Sequence, residues 1–77
     1  MTLPTCYRIL DVPTDSSDID VETTGVEVGK YQSAYKALAV MTREFRRSKA
    51  NPPNWYLLAP NKEILLRPFD LYDVEAS

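Results

Sequence analysis

The amino-acid sequence predicts a small α+β domain. The expected architecture is an antiparallel sheet of about four strands in the order β-β-α-β-β, with one amphipathic helix packed on one face. Three observations predict it. A central stretch repeats its apolar residues at helical spacing. Two pairs of short segments rich in aromatic and β-branched residues flank that stretch, each pair broken by turn chemistry. The chain has 77 residues, which suits one domain around one small core.

Residues 6–12 form the first expected strand, because Tyr7, Ile9, Leu10 and Val12 favour extended backbone. Pro13, Thr14, Asp15, Ser16 and Ser17 then supply a turn, since proline fixes φ and the polar side chains bond nearby backbone. Residues 19–28 read as a second strand. There Ile19, Val21 and Thr23 alternate with Asp20 and Glu22, giving one dry and one wet face. Val26 and Val28 fall out of phase with that alternation, so a bulge or tight turn is expected at Gly25.

Residues 30–48 are the clearest element. Tyr31, Ala34, Tyr35, Leu38, Met41, Thr42 and Phe45 recur three and four apart, which makes one buried helical stripe. Pro52 and Pro53 after Asn51 end it, because proline disfavours helix at the preceding residue. Residues 54–59 read as a third strand, Pro60, Asn61 and Lys62 as a hairpin loop, and residues 63–67 as a fourth strand. The apolar runs in these two strands do not alternate cleanly, so the face away from the helix is expected to be partly covered or open to a partner. Residues 68–74 are a short terminal segment, one helical turn or an edge strand. Residues 1–5 and 75–77 are expected to fray, and 1–77 forms a single domain.

Charge is sorted along the chain. Residues 1–29 hold six acids against Arg8, residues 30–50 hold six bases against Glu44, and the total is −2. Such sorting steers charged partners. Two surfaces follow as candidate binding sites. Asp15, Asp18, Asp20 and Glu22 lie on an expected acidic hairpin able to imitate phosphates. Lys36, Arg43, Arg46 and Arg47 lie on the helix, and Lys49 follows them. The ordinary structural readings are a strand edge guarded by charge and a helix end whose cations complement the dipole. Tyr56 and Tyr72 are the aromatics expected to be exposed as interface anchors.

Catalytic and metal chemistry find little support. Histidine is absent, which removes the commonest general base and metal ligand. Ser33 and Lys36 match the S-x-x-K spacing of penicillin-binding enzymes, but the companion motifs are missing. The acids from Asp15 to Asp20 lack the glycine and closing glutamate of a calcium loop. No phosphate-binding glycine loop or zinc cluster is present, so no enzyme, cofactor or metal is expected. Cys6 is the single cysteine, which forbids an internal disulfide and fits a reducing cytosol. No apolar run approaches the length of a membrane span, and the first residues lack the pattern of a secretory signal. The expected location is the cytoplasm.

Three segments carry a family likeness. Ala37-Leu38-Ala39-Val40-Met41, Pro53-Asn54-Trp55-Tyr56-Leu57-Leu58 and Asn61-Lys62-Glu63-Ile64-Leu65 resemble the C-terminal half of a small phage-encoded type I-F anti-CRISPR family. The resemblance covers roughly residues 34–69. It implies an alanine-rich helix followed by a hairpin, and a stoichiometric inhibitor that binds an RNA-guided surveillance complex; it assigns no functional residue. Gly25, Gly29 and the helix also resemble double-stranded RNA-binding domains. That family needs a lysine cluster at the helix start, where this chain has Tyr31, Gln32 and Ser33 after Lys30. The expected function is therefore a non-enzymatic binding protein directed at a host protein or ribonucleoprotein complex. The alternatives are a nucleic-acid-binding module using the basic helix end, and a structural or assembly subunit using a sheet edge.

Overall fold

A computed structural model describes residues 6–15, 18–48, 50–68 and 70. The elements run β1 (Tyr7–Asp11), a 3-10 turn (Asp18–Asp20), α1 (Val21–Thr24), β2 (Val26–Tyr31), α2 (Ala34–Arg47), β3 (Trp55–Leu58) and β4 (Ile64–Leu66). The four strands form one antiparallel sheet in the order β2-β1-β3-β4, and α2 packs against it. The expected α+β architecture is the one found.

Both faces of the sheet are apolar, and two different elements cover them. Side chains alternate across a strand, so neighbours in β1 and β3 point to opposite faces. Ile9 and Leu57 pair in register and pack under Ala37, Met41 and Phe45 of α2. Leu10 and Tyr56 pair next to them and face the other way, with Val12, Leu58 and Val21 of α1. This double cover explains the unbroken apolar runs: a strand dry on both faces loses its alternation.

The segment expected to be a second strand is partly helical. Residues 18–24 form the 3-10 turn and α1. Their period-two pattern has no structural counterpart, because Val21 is buried while Ile19 is 90% exposed. The Thr24 hydroxyl Oγ1 donates to the Asp20 carbonyl at 2.7 Å, closing the turn on itself. The acidic hairpin is thus a helical cover on the back of the sheet. Gly25 lies where the chain leaves α1 for β2. A Cβ there would stand 2.5 Å from the Val21 carbonyl oxygen and 3.0 Å from Leu10 Cβ, so glycine lets α1 close down on β1. The bulge lies three residues further on: Ile9 pairs with Gly29 and Leu10 with Glu27, which leaves Val28 extra. It falls on an edge strand, where bulges hinder pairing with foreign strands.

β2 extends through Tyr31, so α2 begins at Ala34 and not at residue 30. Ser33 is the N-cap. Its Oγ accepts the Lys36 backbone N–H at 3.2 Å, which satisfies one of the unpaired donors of the first turn. The S-x-x-K spacing is thereby the spacing of a helix cap. α2 ends with Arg46 and Arg47 in its last turn, on the negative end of the dipole. Two bonds between the segments lock β3 to the end of β1. Asn54 Nδ2 donates to the Val12 carbonyl at 2.7 Å, and the Val12 N–H donates to the Asn54 carbonyl at 3.1 Å.

The β3–β4 hairpin uses the expected loop. The Lys62 N–H donates to the Ala59 carbonyl and the Ala59 N–H to the Glu63 carbonyl, while Asn61 Oδ1 accepts the Glu63 N–H at 3.0 Å. Lys62 has φ of 72°, the left-handed position of a three-residue hairpin loop. Beyond β4, Pro68 and Asp70 are helical. The Arg67 N–H donates to Asp70 Oδ2 at 2.8 Å.

Candidate functional site: the outer face of α2

The fold divides the expected site residues between the two faces of the sheet. Glu22 of α1 stands on the back face. Its Oε1 accepts from Arg8 Nη2 at 2.9 Å and lies 3.9 Å from Lys62 Nζ. Glu27 and Lys30 form a looser pair at 3.9 Å on β2. Bases from other parts of the chain thus reach the acidic segment, and Glu22 is engaged within the molecule. Asp15 and Asp20 are exposed. The Asp18 side chain lies outside the described residues, and so does Tyr72.

Tyr56 corrects an expectation. It is 9% exposed and packs with Leu10, Val12, Val21 and Leu58. The reason is the α1 cover, which the strand reading of residues 19–24 does not provide. Among the described residues the exposed aromatic is Tyr35, at 85%. The sequence pattern placed Tyr35 on the buried stripe because it is three before Leu38. However, the stripe that the sheet buries is Ala37, Met41 and Phe45. At 100° per residue, Tyr35 lies far round the helix from that stripe. A narrower buried arc, centred on Met41, is the signal that separates the two.

Lys36, Arg43, Arg46 and Arg47 are all exposed on α2. Within the helix, Glu44 Oε1 lies 3.5 Å from Arg47 Nη1. Arg43 and Arg46 share a shallow groove with Tyr35, Leu38, Ala39 and Thr42. Tyr35, Ala39, Thr42 and Arg46 recur at i, i+4, i+7 and i+11, one row along the helix surface. Ala39, short and exposed, leaves the dip in that row. A second groove opens at the start of the helix against β4, between Ala34, Tyr35, Leu38, Leu57, Leu65 and Leu66. It is lined almost wholly by carbon. Leu65 is the residue left extra where Leu57 pairs with Leu66 and Leu58 with Ile64, and it is 40% exposed.

The arrangement suits binding. It offers an aromatic ring, an apolar floor and guanidinium groups along one line, which are the components of an interface anchor. Among the described residues, no group of three or more potential ligands is placed to hold a metal ion, and no helix is long and apolar enough to cross a membrane. Protein-family models, curated proteins and solved structures give no match to this chain.

Proposed function

We propose that this chain is a non-enzymatic binding protein that acts by docking on a larger protein or ribonucleoprotein target, and that α2 carries the docking face. One observation carries the reading: Tyr35 is 85% exposed in a groove shared with Arg43 and Arg46. The ring is left outside the core that α2 buries on the sheet, and tyrosine and arginine dominate binding energy at interfaces. The charge balance points the same way. Glu22 and Glu27 have bases beside them on the back of the sheet, so less of the acidic segment's charge is left to a partner. The resemblance of residues 34–69 to anti-CRISPR proteins makes a phage-encoded inhibitor of a host surveillance complex the leading instance, acting in the host cytoplasm.

A nucleic-acid reading competes, because Arg43, Arg46 and Arg47 lie close together on the last turns of α2 and could hold phosphates. The two separate in a tagged pull-down from a bacterial lysate carrying an active type I CRISPR system, run with and without nuclease and read by mass spectrometry. The protein reading expects a stoichiometric protein partner that survives nuclease. Recovery of nucleic acid, with partners lost after nuclease, would overturn it.

A further inference from the structure

We infer that the partner element seated on α2 is an acidic amphipathic helix, anchored by an apolar side chain at one end and by carboxylates at the other. This inference rests on the protein-binding reading above and names the chemistry of the partner. The two grooves adjoin along α2, where Tyr35 and Leu38 line both, and together they make a track that passes these two side chains. Its first part is a leucine-walled pocket of about 160 Å³ bordered by Tyr35, with room for one large apolar side chain. Its second part runs along α2 and is lined at its far end by Arg43 and Arg46. These lie eight and eleven residues beyond Tyr35, which is about 12–16 Å along the axis.

The spacing of chemistry along the track dictates the spacing along the occupant. An apolar residue fills the leucine pocket, and acids lie two to three turns away on the same face, after it or before it according to the direction in which the partner helix runs. A helix presents that pattern at i, i+7 or i+8, and i+11. Ala39 at the middle of the track allows two helix axes to approach closely.

Other occupants fit less well. A strand added to β4 would find a strand of only three residues, two of them in register with β3 and Leu65 bulged between them, so few main-chain bonds are on offer. Single-stranded nucleic acid wants several stacking platforms, and among the described residues Tyr35 is the one aromatic lining the track. A second copy of this chain offers no acidic helix among its described residues: α1 is four residues long with Glu22 as its one acid, and the one acid of α2 is Glu44, beside Arg47.

The test is a displayed library of helix-forming peptides, randomised on one face and selected on the full protein. Enriched peptides are synthesised with a fluorescein label and titrated by anisotropy. We expect an apolar anchor with acids two to three turns away from it on the same face. Tyr35→Ser and Arg43→Glu should each weaken these peptides by about tenfold or more. Replacing the peptide's glutamates by lysine should restore binding to Arg43→Glu while abolishing it for the native protein. Both positions are exposed, so the variants should keep the native circular dichroism and melting point. No enrichment, winners without acids, or winners indifferent to both substitutions would overturn the inference. Labelled oligouridine bound in place of peptide, and lost in Arg43→Glu, would overturn it in favour of nucleic acid. Concentration-dependent dimers in light scattering, lost in the same variant, would overturn it in favour of self-association. A protein captured in the pull-down together with a failed peptide selection leaves the binding reading standing and removes only this inference. A failed pull-down removes the reading itself.

Discussion

Gly25 and Lys62 are two residues whose backbone positions set the limits of the fold. At Gly25 the constraint is space: the Val21 carbonyl lies 2.5 Å from where a Cβ would be. Gly25→Ala must push α1 away from β1, and overpacking of this kind costs about 1–3 kcal/mol. Urea denaturation should show a lower midpoint with an unchanged slope. At Lys62 the constraint is conformation, because φ is 72°, a region that disfavours side chains other than those of Asn and Asp. Lys62→Gly relieves that strain and should raise stability by about 0.5–1 kcal/mol in the same assay. The lost contact to Glu22 is long, at 3.9 Å, and highly exposed at Lys62, which puts it at the bottom of the range of about 0–1 kcal/mol for exposed ion pairs, below the gain. Arg8 remains as the shorter partner of Glu22.

α1 is the element that changes most between sequence and structure. A one-turn helix that contributes a single buried side chain has no helical periodicity to reveal it. Ile19, Val21 and Thr23 alternate with acids, yet only Val21 has a place in the core. The two readings make opposite predictions for Ile19. In a half-buried strand, Ile19→Ser would be costly; in the observed turn it should change stability by less than about 0.5 kcal/mol. Val21→Ala, in contrast, opens a gap against Leu10, Val12 and Tyr56 and should cost about 1–3 kcal/mol. Thermal melts of the two variants decide between the readings.

α2, β1, β3 and β4 were legible because long periodic runs and turn residues mark them. The start of α2 was less so, since Tyr31 extends the helical pattern backwards while its backbone pairs with Tyr7 in the sheet. Ser33 is the better local signal, being a cap residue just before the periodic run. Of the candidate site, the basic residues of α2 were legible from composition. Tyr35 was not, because its exposure depends on which arc of the helix the sheet buries. Tyr56 was misplaced for the same kind of reason: its burial depends on an element from another part of the chain.

At the scale of the molecule, the sheet separates two chemistries. The back face carries acids with bases from β1, β2 and the β3–β4 loop beside them. The front carries α2, where Arg43 and Arg46 line an apolar track. A partner held there should respond to salt only partly. Raising ionic strength screens the guanidinium contacts but leaves apolar burial intact, so capture should weaken without being lost, whereas phosphate binding falls steeply. The claim that α2 is the docking face is tested most directly by hydroxyl-radical footprinting of the protein, free and within its recovered complex. Tyr35, Leu38 and Leu65 should be oxidised in the free protein, Tyr35 most strongly, and protected in the complex, while Ile19 and Val26 should react equally in both. Protection at Ile19 or Val26 with Tyr35 still reactive would place the partner on the opposite face or on the β2 edge and contradict the account.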